Sequence, residues 1–234
     1  MEGIGARLDR LDWAELGARV DEAGWVSLPP LLARGEADRL IALYGDEQAF
    51  RTTVTMARHG FGRGEYRYFR YPLPDIVQEL RALLYGRLLA VANRWRSAAG
   101  QPPLPETHAD YLALCRDAGQ TRPTPLLLRY GPGDHNNLHQ DLYGDLCFPL
   151  QAVFLLSARG DFEGGELILT EQRPRMQSRV HAVPLEPLGG AVFASARRPV
   201  QGSRGPYHVV IRHGVSTVRR GSRHSLGIIF HDAS

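Results

Sequence analysis

The stretch LLLRYGPGDHNNLHQDLYGD, residues 126–145, holds the reading on which the fold turns. An apolar run stops at Tyr130, Gly-Pro-Gly marks a turn, and an extended run follows that ends in His139, Gln140 and Asp141. On a strand, side chains two apart leave the same face, so His139 and Asp141 project together while Gln140 points away. That is a chelating arrangement. A third donor would complete a facial set of two histidines and one carboxylate, which leaves coordination positions open and suits non-haem Fe(II). The candidate is His213, in VVIRHGVSTVRRGSRHSLGIIF, residues 209–230. His208 competes for the role, but its odd separation from His213 turns it to the other face of a regular strand. Ten residues beyond His213 comes Arg223, and Ser225 follows at strand spacing, so a guanidinium and a hydroxyl share a face and can grip a carboxylate.

Around this stretch the chain divides in two. From about Pro125 onward, short apolar runs bounded by Gly, Pro or Asp recur: PLLLRY, FPLQAVFLLS, GELILT, HAVPL, GGAVFAS, YHVVIRHGV and HSLGIIFHD. Many short strands at this spacing predict a sandwich or barrel of the jelly-roll kind. The preceding part reads as helical. RLDRLDWAELGARVDEAG carries Leu8, Leu11, Leu16 and Val20 near helical spacing and stops at Gly24, and ARGEADRLIALYGDE and PDIVQELRALLYGRLLAVANRWRSAAG are two further amphipathic helices. The expected fold is mainly β with N-terminal helices (α+β), a jelly-roll core at 121–234 buttressed by a helical part at 1–120, in one domain spanning 1–234. SAAGQPPLPETH is the best candidate for a linker or long loop.

Composition sets outer limits. The chain has 234 residues, enough to bury a full core. Cys115 and Cys147 are its only cysteines and lack CxxC spacing, and the N-terminus has no apolar leader, so a reducing cytoplasm is the expected location. No apolar run approaches the length of a membrane span, which predicts a protein without a membrane partner. All 28 basic residues are arginine, yet a net charge of +3 over a domain this size is not by itself a nucleic-acid signature.

His139-Gln-Asp141, His213 and Arg223-His-Ser225, together with DFEGGELIL and PLGGAVFAS, resemble the 2-oxoglutarate- and Fe(II)-dependent dioxygenases, whose core is a double-stranded β-helix. FGRGEYRYFRYPLP, GQTRPTPLLLRYGPGDHNNLHQDLYGD and EQRPRMQSR extend the resemblance to a bacterial family of such oxygenases acting on damaged nucleic acid, and RYGPGDHNNLHQD is distantly similar to the AlkB-type DNA demethylases. The resemblance implies that His139, Asp141 and His213 bind Fe(II), that Arg223 and Ser225 receive the distal carboxylate of 2-oxoglutarate, and that Tyr130 adds a phenol to that pocket. It implies O2 as cosubstrate, decarboxylation to succinate and CO2, and hydroxylation of a C–H bond. A methyl on nitrogen would then leave as formaldehyde, the outcome of a demethylase.

The segment FRTTVTMARHGFGRGEYRYFRYPLP, residues 50–74, interleaves arginines with aromatic rings ahead of the core, where a substrate lid is expected. Rings stack bases and guanidinium groups meet phosphates, so Arg63, Tyr66 and Tyr68, with Arg173 and Arg175 on an inter-strand loop, are the candidate contacts for a methylated single-stranded or flipped nucleotide. The alternation in EYRYFRY is also that of an ordinary half-buried strand. Beside a nucleobase oxygenase stand a hydroxylase of an amino acid, peptide or small metabolite and a non-catalytic jelly-roll binding module. A monomer is expected in each case.

Overall fold

The computed structural model describes residues 2–203 and 205–234. The N-terminal half contains α1 (Ile4–Asp9), α2 (Trp13–Ala23), β1 (Trp25–Leu28), α3 (Arg34–Leu43), β2 (Phe50–Thr55), β3 (Gly62–Arg63), β4 (Glu65–Phe69), α4 (Asp75–Ala98) and α5 (His108–Asp117). The remainder is strands: β5 (Leu126–Tyr130), β6 (His135–His139), β7 (Leu150–Leu155), β8 (Phe162–Gly164), β9 (Leu167–Gln172), β10 (Arg179–Val183), β11 (Gly190–Ala194), β12 (Arg197–Gly202), β13 (Gly205–Val215), β14 (Val218–Gly221) and β15 (Arg223–Ile229).

The strands form a seven-stranded sheet in the order β1-β11-β7-β15-β5-β4-β2 and a second sheet in the order β10-β9-β13-β6-β3, with β12 paired to β13 and a small β8–β14 ribbon. Every pairing is antiparallel. This is the expected jelly-roll architecture. The larger sheet is covered on one side by helices, and its central strands β7 and β11 are accordingly apolar at almost every position, where a half-exposed strand would alternate.

Two boundaries differ from the sequence reading for local reasons. The expected first helix is two, because the Asp12 carboxylate accepts the backbone N–H groups of Ala14 and Glu15 and starts α2 afresh. That helix does end at Gly24, whose φ of 78° suits the left-handed turn into β1. The segment expected as a long loop runs into a helix: Thr107 and Asp110 form a reciprocal cap that opens α5.

The helical reading of residues 1–120 needs a larger correction. β1, β2 and β4 extend the larger sheet and β3 extends the smaller one, so this part supplies four strands. Residues 65–69 are therefore a sheet strand and not a lid. Tyr66 and Tyr68 face inward between the sheets, whereas Arg67 lies on the opposite face, bonded to Glu65 and the Tyr44 carbonyl.

Helix α4 is tied to the larger sheet by a buried charge. Arg81 donates to the Ile229 carbonyl at 2.8 Å and to Asp232 Oδ1 at 2.8 Å, and Tyr71 donates to the same carboxylate at 2.9 Å. Among the described residues no helix is long and apolar enough to cross a membrane. Replacing Asp232 by Ala leaves a fully buried guanidinium unpaired. The expected cost is about 3–5 kcal/mol, read as a lowered urea midpoint with an unchanged slope.

Candidate metal and cosubstrate site

Strand register assembles the site. In the smaller sheet His139 of β6 lies directly opposite His213 of β13, so both rings leave the same face, with centroids 4.2 Å apart. In the larger sheet Arg223 of β15 lies opposite Tyr130 of β5, and the guanidinium sits 5.6 Å from the centre of that ring. The two pairs face one cavity of about 200 Å³ between the sheets.

Asp141 joins the histidines by a route that strand spacing does not supply. β6 ends at His139, and Asp141 stands two residues beyond it in irregular backbone. Gln140 fixes that backbone by donating to the carbonyls of Ala196 and Ile211 at 2.8 and 2.9 Å, so its side chain is held while its neighbours project together. The result is a cluster in which one donor atom from each of His139, Asp141 and His213 lies within 4.8 Å of the others. Asp141 Oδ2 is 3.2 Å from His213 Nε2, and Oδ1 is 3.6 Å from His139 Nε2. His139 donates its Nδ1 proton to the Asn137 carbonyl at 2.7 Å, which leaves Nε2 as a free lone pair.

Electrostatics suit a cation. Burial raises the Asp141 pKa, but the hydrogen bond from His213, the electrostatic pull of the two imidazoles and the hydrogen bond from Tyr143 outweigh it, so the carboxyl is held well below the usual carboxylate range. Burial and the neighbouring His213 lower the pKa of His139 and keep it a neutral donor. His208, the competing histidine, is exposed on β13 opposite Pro199 and away from this cluster.

Arg223 gives the other half of the cavity its character. Three arginines are buried among the described residues; Arg81 pairs with Asp232 and Arg198 with Glu171, but Arg223 has no carboxylate within ion-pair distance. Its Nη1 lies 3.1 Å from Ser225 Oγ, its Nε has no partner, and burial lowers its pKa. Tyr130, fully buried beside Asn136, likewise has a hydroxyl without a hydrogen bond of normal geometry. A buried cation with unspent donors beside an unspent hydroxyl is a receptor for an anion. The glycine pair of DFEGGEL serves this pocket, since a Cβ on Gly165 would stand 2.7 Å from Arg223 Cδ.

The remaining expected contacts divide. Tyr66 and Tyr68 line the cavity with Phe61. Arg63 is exposed and pairs with Asp134 at 3.3 Å, while Arg173 pairs with Glu171 at 2.9 Å and Arg175 occupies a left-handed turn position at φ 62°. None of these three arginines lines the cavity. The sequence reading passed over Tyr143, whose hydroxyl donates to Asp141 Oδ1 at 2.5 Å. The signal was a tyrosine two residues past a presumed ligand.

Residues 64–233 match the model of a family described as "Oxygenase, catalysing oxidative methylation of damaged DNA". Two uncharacterised proteins of Mycobacterium tuberculosis, from strains CDC 1551 / Oshkosh and H37Rv, are each 49% identical over 168 residues, which is 71% of this chain and 72% of theirs. Among solved structures, a prolyl-4-hydroxylase of Pseudomonas putida superposes with a TM-score of 0.56 at 16% identity, covering 95% of this chain and 100% of its own. An oxidoreductase of the 2OG-Fe(II) oxygenase family from Burkholderia pseudomallei gives 0.53 at 20% identity, covering 96% and 94%. These two likenesses establish the fold, the double-stranded β-helix.

Each of His139→Ala, Asp141→Ala and His213→Ala should lose high-affinity binding of Fe(II) while keeping the wild-type circular dichroism spectrum, and His208→Ala should bind as wild type. Equilibrium dialysis under anaerobic conditions checks this; full binding by His213→Ala would remove the third ligand from its place.

Proposed function

Because the chain belongs to the oxygenase family described as catalysing oxidative methylation of damaged DNA, and carries the fold and triad of an Fe(II)- and 2-oxoglutarate-dependent dioxygenase, we propose that it oxidises an alkylated nucleobase presented single-stranded or flipped from a duplex. The observation that carries the cosubstrate is Arg223, a buried guanidinium with no acidic partner among the described residues. Its unspent N–H groups, with the hydroxyls of Ser225 and Tyr130, would receive the distal carboxylate of 2-oxoglutarate. His139, Asp141 and His213 would hold the iron.

Bound together, Fe(II) and 2-oxoglutarate would let O2 act as the oxidant, one oxygen atom entering succinate as 2-oxoglutarate loses CO2 and the other entering the substrate C–H bond as hydroxyl. The chain's own part is to bind, orient and exclude water. Tyr66, Tyr68, Leu126 and Leu128 give the cavity an uncharged wall, and Phe61, about half exposed at its mouth, offers a face on which a planar ring can stack. His59 stacks on Phe61 with ring centroids 5.3 Å apart, which stiffens that platform.

Two experiments test this reading. Arg223→Ala should weaken 2-oxoglutarate binding by about 1.5–3 kcal/mol, a rise in KM of roughly ten- to a hundredfold, with Ser225→Ala doing less; an unchanged KM would move the cosubstrate elsewhere. A screen coupling succinate and formaldehyde detection should show methylated DNA or RNA oligonucleotides stimulating turnover with salt-dependent affinity. Stimulation by an amino acid, peptide or small amine alone would assign the protein to those substrates instead. No turnover together with no iron binding would make it a binding module.

A further inference from the structure

Tyr143 has a role that the triad and the cosubstrate pocket do not require. Its hydroxyl spends its one proton on Asp141 Oδ1 at 2.5 Å, so at the 2.8 Å contact with Tyr68 it must accept. The order is therefore Tyr68 to Tyr143 to Asp141. Tyr68 comes from β4, fixed in the larger sheet, and Arg51 lies 4.5 Å over its ring while donating to the Pro123 carbonyl. Tyr143 is held from its own side as well, because Ser234 donates its N–H to the Tyr143 carbonyl and Gln120 bonds both the N–H and the carbonyl of Leu146. The loop passes so close to Gln120 that a Cβ on Gly144 would lie 2.4 Å from its side-chain carbon. Neither hydroxyl can swing away freely.

A carboxylate can ligate a metal through one oxygen or two. With two histidines, single-oxygen binding leaves three of six octahedral positions open, enough for a bidentate cosubstrate and O2; two-oxygen binding would leave only two. We propose that Tyr143 is a positioning residue that occupies Oδ1 of Asp141, so that the carboxylate presents Oδ2 alone to the metal and three positions stay open. Oδ2 lies 3.2 Å from His213 Nε2, and Oδ1, the oxygen that accepts from Tyr143, lies 3.6 Å from His139 Nε2. This inference rests on the metal reading of the triad.

The test uses the full chain loaded with Co(II), whose visible d–d absorption reports coordination number without turnover. Tyr143→Phe keeps the ring and removes only the hydroxyl. The variant should bind Co(II) as tightly as wild type or more so, show an altered d–d spectrum, and bind 2-oxoglutarate about tenfold more weakly. A purely packing role predicts no change in any of these. Identical spectra and cosubstrate affinity would overturn the inference, and so would weakened Co(II) binding with unchanged 2-oxoglutarate affinity at saturating metal, since Tyr143 would then merely brace the ligand. If Tyr143→Phe fails to fold, Tyr68→Phe, which removes the donor that fixes the Tyr143 hydroxyl, takes its place: weaker 2-oxoglutarate binding supports the inference and unchanged binding overturns it. Absence of Co(II) binding by the wild type would be a different failure, of the metal reading itself, and would take this inference with it.

Discussion

Among the described residues Arg223 has one hydrogen bond, to Ser225, and the faces of Tyr130 and Phe162 where the other buried arginines, Arg81 and Arg198, have acids. A buried ion without a counter-ion is costly, by several kcal/mol even after relaxation. The surrounding structure supports the guanidinium without neutralising it. Two aromatic faces offer favourable cation–π contact, and Gly165 admits the aliphatic stem. An acid at this point would remove the cost and also the receptor, so the instability is retained where a ligand can offset it.

The same logic governs the other end of the cavity, where an anion is conserved in its charged form by neighbours that can later share it with a metal. Register places the two histidines, because an antiparallel pair directly opposite each other must share a face. Register cannot place Asp141, which lies past the strand end. Its position comes instead from side-chain bonds: Gln140 to two carbonyls, Tyr143 to the carboxylate, and Gln120 with the C-terminal residues to the loop beyond. Helix α4 secures that C-terminal segment in turn through Arg81 and Asp232. The helical layer thus reaches the site through hydrogen bonds as well as through packing.

This separation explains what could be read from the sequence. His139, His213, Arg223 and Ser225 were legible from their spacing along the chain and Tyr130 from the family resemblance, and the structure brings all five to one cavity. Asp141 was identified as well, although the strand geometry invoked for it does not hold. β2, β3 and β4 were hidden because their pattern matched two meanings, an interleaved binding segment and a half-buried strand, and only the long-range pairing of β4 with β5 decides between them. Strand β1 was hidden by its brevity, with four residues between a helix and a proline turn. Tyr143 and Gln120 were illegible for another reason. Their partners lie 2 to 112 residues away through loop geometry that no periodicity encodes.

Once that strand is in place, the arginine-aromatic segment resolves into two environments. Tyr66 and Tyr68 face the cavity, and Arg67 turns to the outer face, where it stacks on Tyr44. Arg63 is exposed on β3, beside β6 and close in sequence to Phe61 at the cavity mouth. The cavity lining is therefore uncharged except at the two ends proposed for metal and cosubstrate, and Arg63 and Arg67 lie outside it. A flipped nucleotide asks for that division, since its base must leave water for a ring-lined slot while its phosphates stay solvated near cations. A free amino acid would carry its ammonium and carboxylate into the cavity, where the described lining offers it no carboxylate but Asp141 and no guanidinium but Arg223.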